Sequence, residues 1–190
     1  MSVRFFAPVK THLSLFPAIP GLMLAFSLAG AEAVKDTDAV PARVPFPKDY
    51  QTTFHKIRVA NQPSSSELGT IYANDPAASI GELGQLPYPD GSVFVMEFSE
   101  PLKDGNGGLL TDADGTWIRG TVRRVAVMRR EKGFGAMYGD KRAGEWEFVT
   151  YRPDGILLPL ESGAACAACH ARAPDRDFVF RGRFPAVGDR

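Results

Sequence analysis

Short runs in which apolar and polar side chains alternate dominate most of the chain, and they predict β-strands rather than long helices. The clearest run is Ser92–Phe98, which follows the turn signal Pro87–Gly91. The other predicted strands are Phe54–Ala60, Thr70–Ala73, Trp117–Met128, Trp146–Arg152 and Phe178–Phe180. Short helices are predicted over Ala77–Leu83 and from Ser162, as a cap, to Arg172. The pattern therefore predicts a β-rich chain with a few short helices.

The strand Ser92–Phe98 has one wholly apolar face. The period of two places Phe94, Met96 and Phe98 on that face and the residues between them on the other. Three bulky apolar side chains on one face of a strand are consistent with the wall of a ligand pocket and equally with ordinary core packing. If they form a pocket wall, that wall is apolar.

The first 33 residues have the pattern of a signal peptide. Arg4 and Lys10 precede the apolar run Leu13–Ala29, and small residues up to Ala33 fit a cleavage site. A retained membrane anchor is the less favoured alternative, because prolines interrupt a run shorter than the roughly 20 apolar residues of a span. We therefore expect a periplasmic mature chain, and no second apolar run of spanning length follows.

The rest of the chain is predicted to contain one domain. Residues 34–45 mix charges and prolines without a period and predict a flexible lead-in, and residues 46–187 predict the folded domain. The 22 basic residues balance the 22 acidic ones, and no basic stripe indicates nucleic-acid binding. A local basic cluster, Arg123–Lys132, is interpreted as a solvated strand end, with a docking patch for an acidic redox partner as the less favoured alternative.

The chain contains two cysteines, Cys166 and Cys169, and His170 follows directly. A disulfide between them would close a tiny loop that restrains the unfolded chain little. The spacing C-x-x-C-H is instead the pattern of c-type haem attachment. The two thiols form thioether bonds to the haem vinyl groups, and the adjacent histidine reaches the iron. We predict one covalent haem c, with His170 as the metal ligand.

Two other interpretations of the cysteine pair are weaker. A thioredoxin-like redox pair is expected near a βαβ pattern, which this chain lacks. A structural zinc site needs four ligands, and His55 is the one further histidine after removal of the signal peptide. Export also suits c-type maturation, so haem attachment is the favoured interpretation.

The position of the motif limits how the iron is coordinated. Only 20 residues follow His170, and none of them is a methionine. A second protein ligand must therefore come from upstream or be absent. The upstream candidates are His55, Met96, Met128 and Met137. We predict a five-coordinate iron with an open distal side.

Residues 46–187 resemble the cytochrome P460 family, which includes the β-type cytochromes c′. The resemblance lies in the order and spacing of six segments: Phe46–Tyr50, Ile71–Asn74, Asp90–Val95, Gly144–Phe148, Cys166–His170 and Asp177–Phe180. It implies a mainly antiparallel β-sheet with a few short helices, classed as mainly β (α+β). It also implies a haem on a C-terminal C-x-x-C-H helix, an open distal side and commonly a homodimer.

Three positions depart from the P460 enzymes, which oxidise hydroxylamine. Their lysine that bonds covalently to the haem edge corresponds to Met96, whose thioether has no amine. Their distal arginine corresponds to Gly69, and a tryptophan after the Tyr50 position is replaced by Thr53 or Phe54. These departures make the chain more similar to the β-type cytochrome c′ branch.

The sequence supports three functional hypotheses. The first is a gas-binding haem protein with a five-coordinate iron, since nitric oxide binds ferrous haem without a distal hydrogen bond. The alternatives are a P460-type enzyme that oxidises hydroxylamine or nitric oxide, and a six-coordinate electron-transfer cytochrome with an unidentified redox partner. An enzyme is the less favoured class, and no catalytic residue is assigned. The predicted haem-binding residues are Cys166, Cys169, His170, Met96, Phe94 and Phe98.

Overall fold

A computed structural model describes residues 43–80 and 84–180 of the chain. The helices are α1 Tyr50–Thr53, α2 Asp75–Ala78 and α3 Glu161–His170, with 3₁₀ turns at Ala136–Lys141 and Pro174–Arg176. The strands are β1 His55–Gln62, β2 Glu67–Ala73, β3 Val93–Pro101, β4 Arg119–Arg130 and β5 Trp146–Tyr151. The predicted signal peptide and residues 34–42 of the predicted lead-in lie outside the described residues.

The five strands form one antiparallel sheet in the order β1-β2-β3-β4-β5. Each strand pairs with its neighbour in sequence, so the sheet is a simple meander. Residues 63–66 form a short connection between β1 and β2, whereas the longer stretches 74–92, 102–118 and 131–145 join the other neighbouring strands. The stretch between β3 and β4 is a hairpin arm with isolated bridges Lys103–Leu109 and Thr111–Trp117. The predicted mainly β fold with a few short helices is confirmed.

One face of the sheet packs on tyrosine and valine side chains. Its buried residues include Tyr50, Tyr72, Val95 and Val127. The fully buried Glu97 lies on this face, where the Tyr50 hydroxyl donates to its carboxylate at 2.7 Å and Arg119 pairs with it at 2.9 Å. These partners offset the cost of burying a carboxylate.

The described chain is already packed before the predicted start of the domain. Val44 is fully buried, and the Arg43 guanidinium forms two hydrogen bonds, at 2.8 and 2.9 Å, with the buried Glu147 carboxylate. The Tyr151 hydroxyl donates to the Val44 carbonyl at 2.5 Å. These contacts hold residues 43 and 44 against β5.

Three sequence predictions about local structure differ from what is observed. Of the helix expected over Ala77–Leu83, the described residues form only the single turn α2, and residues 81–83 lie outside the described part of the chain. The Asn74 side chain caps this turn and accepts from the Ala77 N–H at 3.2 Å. Ser162 does not cap α3: its hydroxyl donates to the Pro159 carbonyl, and the helix begins one residue earlier. The strand expected at residues 178–180 is absent among the described residues, because left-handed backbone at Asp177 and Phe178 (φ 48° and 62°) turns the chain.

The second face of the sheet packs against α3 at β5. The contact is close at Gly163, where an added Cβ would overlap the backbone carbonyl of Phe148. A larger side chain would lift α3 from the sheet. Among the described residues, no helix is long and apolar enough to cross a membrane.

We predict that Gly163→Ala destabilises the fold by about 2 kcal/mol, the cost of overpacking a close contact. Helix propensity alone would give the opposite sign, since alanine is favoured over glycine by about 1 kcal/mol. Urea unfolding of the purified protein measures the change. Ala165→Gly, on the exposed side of the same helix, is the control and should cost only the propensity term. A Gly163→Ala protein as stable as the parent would contradict the close contact.

Candidate functional site

The C-x-x-C-H residues lie on the last two turns of α3. Both cysteines are free and half-buried. Cys166 and His170 border a cavity of about 420 Å³ between α3 and the sheet. Cys169 is not among the residues that line this cavity, and its sulfur lies 3.2 Å from the Arg172 guanidinium. The motif therefore borders the cavity through Cys166 and His170, and Cys169 lies outside the lining.

The cavity lies against the second face of the sheet, and most of its lining is apolar. Phe94, Met96 and Phe98 all line it, as strand alternation requires if this face is the pocket wall. Neighbouring strands contribute Ile71 and Met128. The three predicted residues therefore share one cavity lining with Cys166 and His170, and their role toward haem stays a prediction.

Two polar residues of the lining, Arg58 and Gln62 on β1, were not predicted from the sequence. The register of β1 against β2 shifts between Lys56 and Arg58, so strand periodicity counted from the start of β1 does not predict which side chains face the cavity. Lys56 pairs with Tyr72, a residue of the opposite core. The expectation of a wholly apolar wall is therefore incomplete.

The four upstream candidates for a second iron ligand separate into two groups. Met96 and Met128 line the cavity, whereas His55 and Met137 do not. The His55 side chain is 59% exposed and lies 2.8 Å from the Asp75 carboxylate. Met137 packs between the two cores. A protein ligand opposite His170 would therefore have to be one of the two cavity methionines.

The orientation of the His170 ring is fixed by the chain that follows it. Its Nδ1 lies 2.6 Å from the Phe178 carbonyl oxygen, which can only accept. The proton is therefore on Nδ1, and the Nε2 lone pair is available for a metal. Phe148 and Phe180 flank the ring at 5.0 and 4.8 Å between centroids. Burial lowers the pKa of His170, although the Phe178 hydrogen bond raises it, and the neutral imidazole that a metal requires is favoured.

The carbonyl that holds His170 belongs to a turn that several distant residues fix. The Asp177 carbonyl accepts from the Trp146 indole at 2.9 Å, and the Asp177 carboxylate accepts from the Tyr88 N–H at 2.8 Å. Arg130 Nε lies 3.4 Å from the same carboxylate. Burial raises the pKa of Asp177, which Tyr88 and Arg130 counteract. These contacts stabilise the left-handed conformation of Asp177 and Phe178.

Gly144 gives this turn the space that it needs. A Cβ at position 144 would lie 2.5 Å from the Phe178 ring, and the backbone there has a φ of +57°. Glycine is therefore required for both steric and conformational reasons.

The Cys166 thiol is held in its neutral form. Burial raises the pKa of this thiol, which the positive charge of Arg124 and a hydrogen bond with the Thr150 side chain partly offset. Two free thiols, a neutral imidazole and an apolar slot fit a haem attached by thioethers. Among the described residues, no group of three or more His, Cys, Asp or Glu side chains is arranged to hold a bare metal ion.

The comparison with protein families agrees with this donor set. The family model for cytochrome P460 matches residues 47–181. The chain belongs to the cytochrome P460 family. It is therefore a c-type haem protein, of a family that binds haem c covalently. No curated protein matches the sequence significantly.

We predict that Gly144→Ala moves the Phe178 carbonyl away from His170 Nδ1, because the new methyl group overlaps the Phe178 ring. A weaker hydrogen bond makes the imidazole a poorer donor to iron. The iron–histidine stretching frequency of the ferrous haem protein, measured by resonance Raman spectroscopy, should fall.

Gly139→Ala is the matched control for this change. Gly139 has nearly the same φ, +56°, but an added Cβ there meets nothing within 4 Å. Both variants should lose stability, by about 1 kcal/mol or more for the strained backbone. Equal Raman frequencies in the two variants would contradict a positioning role for Gly144.

Proposed function

We propose that this member of the cytochrome P460 family is a mono-haem protein of the β-type cytochrome c′ kind that binds small gases such as nitric oxide. In this proposal Cys166 and Cys169 hold the haem by thioether bonds, and His170 Nε2 is its protein ligand. The observation that carries the proposal is the apolar cavity next to His170. Among its described lining residues there is no lysine that could attach to the haem edge.

Each part of the site has a role in this function. The haem iron supplies the coordination position for a gas. The Phe178 carbonyl oxygen lies 2.6 Å from His170 Nδ1 and accepts its proton in a hydrogen bond. This leaves the Nε2 lone pair available to the iron. Phe94, Met96 and Phe98 exclude water from the distal side and offer no general base. An apolar distal side suits a neutral diatomic ligand better than it suits the proton transfers of hydroxylamine oxidation.

A six-coordinate electron-transfer cytochrome is the second candidate function. Met96 and Met128 both line the cavity, and a thioether is a known axial ligand in cytochromes c. Hydroxylamine oxidation, known for the P460 enzymes that the chain resembles, has less support, since Met96 occupies the position of their crosslinking lysine. We also propose export to the periplasm and a homodimer, the latter from the resemblance alone.

The first prediction concerns haem attachment. Mass spectrometry of the mature protein should give one haem added to the polypeptide. Cys166→Ala and Cys169→Ala should each leave one thioether bond, and the double variant should lose covalent haem entirely. Ala168→Ser, between the two cysteines, is the control and should retain the full mass. Full haem mass in the double variant would exclude these cysteines as the attachment site.

The second prediction concerns the open side of the iron. The ferrous protein should have a high-spin optical spectrum that changes when nitric oxide or carbon monoxide is added. A sharp low-spin spectrum that neither gas alters would favour a methionine ligand and electron transfer. In that case Met96→Leu and Met128→Leu, tested separately, identify the ligand. An absorption band of the ferrous protein near the wavelength after which the P460 family is named would instead indicate a haem crosslink. That result would favour the P460-type enzyme.

A further inference from the structure

The amide of Gln62, at the end of β1, has an unusual environment for a polar group. Gln62 lines the cavity, and its Nε2 atom is buried. No hydrogen-bond partner for this nitrogen occurs among the described residues. A buried amide without a partner is unfavourable, because the group has lost its water without gaining another acceptor. An acceptor that enters the cavity would remove this cost.

A glycine on the neighbouring strand makes room for this amide. A Cβ added to Gly69 on β2 would overlap Gln62 Nε2 and would lie 2.5 Å from the terminal methyl of Met96. Any larger residue at position 69 would therefore displace the end of the Gln62 side chain. Gly69 and Gln62 consequently act as a pair, in which the missing side chain of one leaves space for the amide of the other.

The surroundings of the amide indicate which acceptor it meets. The nearby cavity side chains on β2 and β3, Ile71, Met96 and Phe98, are apolar and offer no strong acceptor. Arg124, whose guanidinium lies 3.6 Å from the Phe98 ring, is already paired with Glu67 at 2.7 and 2.9 Å. The acceptor must therefore come from what the cavity binds.

We propose that Gln62 Nε2 donates a hydrogen bond to the gas molecule bound in this cavity, and that Gly69 permits it. The inference rests on the proposed gas-binding function and deepens it. A neutral donor in a mostly apolar wall favours ligands with a polarised outer atom, such as nitric oxide or dioxygen, over carbon monoxide. Gln62 thus sets ligand discrimination without adding a charge.

The test compares infrared spectra of the ferrous carbon monoxide adducts of parent and variant haem proteins. A hydrogen bond to bound carbon monoxide lowers its stretching frequency. Gln62→Leu removes the donor and should raise the frequency. Gly69→Ala keeps the donor but displaces it, and should shift the frequency in the same direction. Dissociation of nitric oxide should become roughly two- to tenfold faster in both variants, the range expected for one neutral hydrogen bond.

Ile71→Val is the matched control, because Ile71 lines the same wall and pairs with Met96 but has no polar group. Thermal unfolding of each variant verifies that the fold is retained. Frequencies of Gln62→Leu and Gly69→Ala that differ from the parent no more than that of Ile71→Val would overturn the inference. If instead the reduction potential of Gln62→Leu shifts while the carbon monoxide frequency does not, the amide serves the haem carboxylates and the inference is equally overturned.

The same experiment separates this inference from the proposed function. A parent protein that forms no carbon monoxide adduct would overturn gas binding, and the role of Gln62 with it. A parent that forms the adduct, with a Gln62→Leu spectrum equal to that of the parent, would overturn the role of Gln62 alone.

Discussion

Burial of both faces of one thin sheet is the constraint on which this structure depends. Each strand must place alternate side chains in two different interiors. On β3, Val95 and Glu97 enter the tyrosine-lined core, while Phe94 and Met96 face the cavity. A slip of one residue would bring the Glu97 carboxylate into the apolar cavity and remove it from Tyr50 and Arg119. The buried carboxylate therefore reinforces the register that forms the cavity wall.

The parts of the candidate site that can be predicted from the sequence are those encoded within short continuous segments. The motif Cys166–His170 and the alternation of β3 can be recognised without knowledge of distant residues, and both contribute to one cavity. Gln62 was not predictable in this way. Its position requires the register shift in β1, and its burial requires Gly69 on the next strand. Neither condition leaves a periodic signal, so sequence reasoning gave an incomplete account of the cavity wall.

The turn after α3 illustrates the same limit for the backbone. Phe178–Phe180 has the composition of a strand, and local propensity predicts one. Tertiary contacts determine the outcome instead, because Trp146 and Tyr88 bind Asp177 and turn the chain toward His170. Trp146 and Tyr88 precede Asp177 by 31 and 89 residues, so no local pattern in the sequence predicts these contacts. The hydrogen bond that orients His170 is thus a product of the whole fold.

The meander order of the sheet also separates the two sides of the cavity along the chain. The side chains of β1 to β4 that face it lie between residues 57 and 128, whereas Cys166, His170 and the flanking turn follow β5. During synthesis, the wall that would meet a gas therefore emerges before the segment that would bond the haem. The two stretches share no residues, so evolution can vary the choice of ligand in the first without altering the attachment chemistry encoded in the second.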